Sequence, residues 1–158
     1  MSRVRKFFVL TIGAGLLCGM PVASFAAEPH AHAGAATVQL KLDNGKKWQT
    51  DDALRRGMSE IRTAMAGSLA PIHKKTFTPK QYEALADRVQ TQIDYVVGNC
   101  KLTEDADAQL HVVLEQIIDG VAEMKAATGR DQGAVKIVRA LDLYGKYFNH
   151  TGWKPLTH

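Results

Sequence analysis

The sequence predicts an all-α protein, an up-down-up-down four-helix bundle preceded by a short extended N-terminal segment. Four stretches repeat apolar residues at helical spacing, short polar links with cap signals separate them, and only one stretch alternates at period two. No second strand signal accompanies that stretch, so no sheet is expected.

The first 26 residues read as a secretory leader. Arg3, Arg5 and Lys6 precede the apolar run Phe7 to Leu17, and Ser24 and Ala26 suit the positions before a cleavage site. The run is too short to favour a membrane span. Cys18 lies inside it, and the bulky Leu17 before it argues against lipid attachment. Cleavage after Ala26 would deliver a periplasmic chain with no stable membrane insertion. The leader also carries three of the 20 basic residues and none of the 16 acidic ones, so its removal lowers the net charge from +4 to +1. Nucleic-acid binding, which needs a concentrated basic face, is not expected. With Cys100 the one thiol left, no internal disulfide can form.

Residues 27–47 read as a flexible linker and a short extended segment. "AEPHAHAGAA" reads as small and flexible, and holds His30 and His32. Val38, Leu40 and Leu42 then alternate up to the turn signal Asn44-Gly45. Residues 48–158 make the bundle. Thr50 is the expected cap of the first helix, with Asp51 and Asp52 at the positive end of its dipole. Leu54, Met58, Ile61 and Met65 form its stripe, and Gly67 and Pro71 are expected to end it.

The second helix has the clearest start. Thr78 caps, Pro79 takes the first position, Gln81 completes a capping box, and Phe77 and Tyr82 form a hydrophobic staple. Tyr82, Leu85, Val89, Ile93 and Val96 follow until Gly98-Asn99. Thr103 opens the third helix, whose stripe is Ala106, Leu110, Val113, Ile117, Val121 and Met124, up to Thr128-Gly129. The fourth starts near Asp131 with Ala134, Val138, Leu141, Tyr144 and Phe148, and stops around His150 to Gly152.

That topology gathers Met58, Cys100, His111 and His150 at one end, with His73 at the other. Thioether, thiolate and imidazole together suit a soft or borderline metal, with copper favoured, or a haem iron. Each residue also has a plain structural reading. Met58 can fill the core, Cys100 can be an inert buried thiol, His111 can flank the core, and His150 can cap the last helix. His30 and His32 are a loose pair of further nitrogen donors.

Enzyme signatures are missing. There is no Glu-x-x-His pair, no C-x-x-C-H, no G-x-S-x-G and no glycine-rich phosphate loop. "HVVLE" puts His111 and Glu115 on one helical face, but the other histidines of a hemerythrin-like site are absent. Asp51, Asp52, Asp105 and Asp107 lie in first helical turns, where the dipole accounts for them. A non-enzymatic chain is expected.

With "LRRGMSEI" supplying Met58 and "LYGKYFNH" supplying His150, residues 50–150 resemble the cytochrome b562 type of periplasmic bundle in architecture and ligand order. The resemblance implies haem b held without covalent attachment, with Met58 and His150 as axial ligands. It departs from that family in one respect: the family histidine lies inside the last helix, whereas His150 adjoins Thr151-Gly152 at its end. His111 then becomes the alternative iron partner. The function expected is metal handling or electron transfer, and the alternative is a cofactor-free module that binds another envelope protein.

Overall fold

The computed structural model describes residues 39–157. The leader, Val38, His30, His32 and His158 lie outside them. Within the described residues the order is β1 (Trp48–Gln49), α1 (Asp52–His73), α2 (Pro79–Asn99), α3 (Glu104–Lys125), α4 (Arg130–Tyr147) and β2 (Phe148–Asn149). The four helices pack as the expected all-α bundle.

The extended segment has the expected turn. Asn44 and Gly45 take φ of 47° and 83°, and Asp43 and Lys46 bridge across them. The segment lies on the bundle: the Lys41 amide donates to Gln109 Oε1 at 2.8 Å, and Trp48 Nε1 donates to Lys41 O at 2.7 Å. The first of these satisfies Gln109, a buried polar side chain that would otherwise be costly to enclose.

Trp48–Gln49 and Phe148–Asn149 form a two-residue parallel pair, a sheet that the sequence reading did not expect. Two residues carry no readable alternation. The pair instead follows from where the bundle brings the entry to α1 and the exit from α4.

Asp51, one residue beyond the expected Thr50, caps α1. Its Oδ1 accepts from the Leu54 amide at 2.7 Å, whereas Thr50 donates its hydroxyl to Asn149 O. Asp51 has the better use of its second oxygen, which accepts from the Lys101 amide in the α2–α3 link. The helix then runs past Pro71 to His73. Proline removes a bond to the carbonyl four residues back and crowds it. Here that carbonyl belongs to Gly67, which is exposed, so solvent can bond the freed oxygen and one more turn is tolerated.

The start of α2 is as expected. Thr78 and Gln81 make the reciprocal capping box, and the Phe77 and Tyr82 rings meet edge to face with centroids 4.8 Å apart. Thr103 precedes α3 without a side-chain cap bond, and that helix ends at Lys125, earlier than Thr128. Gly129 enters α4 at φ 75°, and α4 ends at Tyr147, where Phe148 turns into the parallel pair.

Every stripe residue named for the four helices is buried. Of the four neighbouring helix pairs, packing is closest between α3 and α4 and sparsest between α1 and α4. Two glycines produce the first extreme: a Cβ on Gly133 would lie 2.6 Å from Gly120 O, and one on Gly120 would lie 2.7 Å from Gly133 O.

Candidate functional site

The end of the bundle that holds the expected ligands is built as the topology requires. Asp51 ties the start of α1 to the α2–α3 link, and Thr50 ties it to the end of α4. Met58, Cys100, His111 and His150 each find separate partners there. Among the described residues, no hydrogen bond joins any two of them.

Met58 is fully enclosed in the core, with 0% exposure. Cys100 is half-buried and ends α2, its amide bonded to Val96 O at 2.9 Å. Burial raises its thiol pKa above the ordinary value, and the nearby Asp51 and Asp107 carboxylates raise it further. His111 is exposed on α3, offset from the buried face. Its Nδ1 lies 2.9 Å from Asp107 O and 3.4 Å from the Asp107 carboxylate.

His150 belongs to a cluster of its own. Nδ1 lies 3.0 Å from the Tyr144 hydroxyl and Nε2 lies 3.4 Å from Ser59 Oγ. The Trp153 ring is tilted against it at 5.0 Å and meets Tyr144 edge to face at 4.8 Å. Burial lowers the His150 pKa, and the Arg55 charge lowers it further. Burial raises that of Tyr144. The ring is therefore neutral at pH 7, and both its nitrogens are engaged.

This arrangement does not fit a haem between Met58 and His150. The hollow beside His150, lined by Ser59, Arg62, Thr63 and Trp153, holds about 130 Å³, and small-ligand pockets start at roughly 300 Å³. Nor does it gather one copper centre, because the two imidazoles face different partners. Among the described residues, no group of three His, Cys, Asp or Glu side chains is placed to hold a metal ion. His30 and His32 fall outside them.

A larger hollow lies in the sparse seam between α1 and α4. It is a trough of about 340 Å³ floored by Leu69, Ile72, Ala134, Val135 and Val138. Val135 is 45% exposed there. His73, Lys75, Asp131 and Arg139 form the rim. Lys75 and Asp131 bond to each other at 2.7 Å, which raises the pKa of the lysine and lowers that of the carboxyl. Arg139 forms no ion pair among the described residues.

No known protein family, curated protein or solved structure matches this chain. Nothing in those comparisons links it to the cytochrome b562 type. No helix of the described residues is long and apolar enough to cross a membrane.

Sequence reasoning placed Met58, Cys100 and His150 near the correct end but overlooked the seam. Leu69 and Ile72 continue the α1 stripe past Gly67, and Val135 widens the α4 stripe. Val135, an apolar residue beside the buried stripe of α4, was the available signal.

Proposed function

We propose that the chain is an exported, non-enzymatic, cofactor-free module that docks another envelope protein in the α1–α4 seam. The observation that carries this reading is the trough itself: a hollow within the size range of ligand sites, with Val135 exposed beside otherwise buried apolar residues, in a bundle whose α3–α4 seam is closed to backbone contact. The partner supplies an apolar anchor beside a carboxylate. Arg139 is uncommitted, and the one acid on the rim is already paired with Lys75. Export rests on the leader pattern of the first 26 residues. Metal handling or electron transfer is the less favoured reading, since it needs Met58, Cys100, His111 and His150 to converge.

Selection from a phage-displayed random peptide library tests the module. The expected outcome is a set of peptides with an apolar residue next to Asp or Glu. Their affinity should fall by about tenfold or more on Val135→Trp, which fills the trough, and on Arg139→Glu. Ile118→Trp, on an exposed α3 position, should leave it unchanged. If no peptide is enriched, or those enriched bind the Val135→Trp protein equally well, the seam is not the docking surface.

A further inference from the structure

After α4 the chain does not leave the bundle. Trp153 is anchored by its amide on His150 O at 3.0 Å and by its ring on Tyr144. The residues beyond it lie along α1 without helix or strand. Arg62 donates from Nε to Lys154 O and from Nη2 to Pro155 O at 3.4 Å, and Leu156 is buried. Two main-chain carbonyls and one buried apolar side chain are among the groups that hold this tail. Any extended peptide can offer the same groups.

The tail covers half of a longer track. Leu69 and His73 line both the depression shared with Leu156 and Thr157 and the open trough toward α4. From Arg62 to Ile72 the track runs roughly 15 Å at the helical rise of about 1.5 Å per residue. Four or five extended residues at about 3.3 Å each span that length. Its charges are Arg62, Lys75 and Arg139 against Asp131 alone, which Lys75 holds. Lys154 lies beside Arg62 at the near end of this surface, and the described tail offers no carboxylate to its cations. The tail is electrostatically the wrong occupant.

We propose that Lys154–Thr157 is a displaceable strap in a peptide-binding track, and that the intended occupant is an extended segment of a partner protein with an apolar residue followed by a carboxylate. The apolar residue replaces Leu156 or fills the trough, and the carboxylate meets Arg139. This rests on the reading of the α1–α4 seam as a docking surface, and it adds the form of the ligand and the device that competes with it.

The test uses the full chain and two fluorescein-labelled probes, acetyl-Gly-Pro-Leu-Thr-Asp-Leu-Glu-amide and its Asn/Gln counterpart, followed by anisotropy. The acidic probe should bind saturably, about tenfold tighter than the neutral one. Arg139→Ala should remove that difference. Leu156→Ser should strengthen binding of both by about tenfold, because the competitor is released. Melting curves identify any variant that fails to fold.

Equal binding of the two probes overturns the charge assignment, and indifference to Leu156→Ser overturns the strap. A concentration-dependent dimer with exchanged tails makes the occupant a second copy, and also overturns the proposal. If neither probe binds while library peptides still bind in a Val135-dependent way, the strap and track are wrong and the docking seam survives.

Discussion

The Tyr144 hydroxyl lies 3.0 Å from Nδ1 of His150, and this contact sets the tautomer of the ring. Burial keeps the tyrosine protonated, so the phenol has a proton to donate to the ring. Nδ1 is then the acceptor, and the remaining hydrogen sits on Nε2, facing Ser59.

A pH dependence of stability follows. The folded-state pKa of His150 is depressed, so the unfolded chain binds more protons just below the ordinary imidazole value. The contribution is fully present above about pH 6.5 and is lost as pH falls from there through the folded-state value. Thermal melts between pH 7.5 and 5 should show a falling midpoint, and His150→Gln should flatten the decline. An unchanged slope in that variant would remove His150 from the account.

The two closest helices give a paired test of packing. Gly133→Ala places a methyl against the Gly120 carbonyl and the Met124 backbone, which cannot rotate away, and should cost about 2–3 kcal/mol. Gly67→Ala, on an open face of α1 with nothing within 4 Å, should gain about 0.5–1 kcal/mol. Denaturant midpoints report both. Similar effects from the two substitutions would contradict the close approach of α3 and α4.

Cys100 should react slowly. Its thiol is half-buried and less ionised than a free cysteine at neutral pH, and the thiolate is both the nucleophile and the metal ligand. Alkylation by iodoacetamide should be several-fold slower in the folded chain than in urea. One-to-one copper retention lost on Cys100→Ser would restore the bundle-end metal reading.

Asp51 holds two amides from different parts of the chain, Leu54 in α1 and Lys101 in the next link. Asp51→Ala should therefore cost about 2 kcal/mol, the upper end for a lost helix cap. Thr50→Ala should cost less, since the Asp51 cap remains. Equilibrium unfolding in urea distinguishes the two residues, and the reverse ranking would return the capping role to Thr50.

The bundle was legible wherever one physical signal acted locally. Thr78, Pro79 and Gln81 fix the α2 start within four residues, and the apolar period identifies which face of each helix is buried. Features decided by distant segments were not legible. Asp51 outcompetes Thr50 because Lys101 arrives from 50 residues away. Trp48 pairs with Phe148 only after α4 returns. For the candidate ligands, topology placed Cys100 and His150 at the end where the structure has them, but the partners of the two imidazoles are Asp107 for His111 and Ser59 and Tyr144 for His150. The tail left no periodic trace, since Arg62 binds its backbone, and its role lay in carbonyls that every sequence possesses.

The parallel pair Trp48–Gln49 with Phe148–Asn149 joins α1 to α4 at one end of the bundle. At the other end, an exposed contact runs from Lys75, two residues past α1, to Asp131 of α4. Mechanically the two helices are the arms of a spring clip, pivoted at the strands and latched at the tip. Salt weakens a solvent-exposed latch and spares a backbone-bonded pivot. Ionic strength would then act on the mouth of the clip, where Leu69 faces Val138, and the amides near Trp48 and Phe148 would exchange their hydrogens as slowly as before.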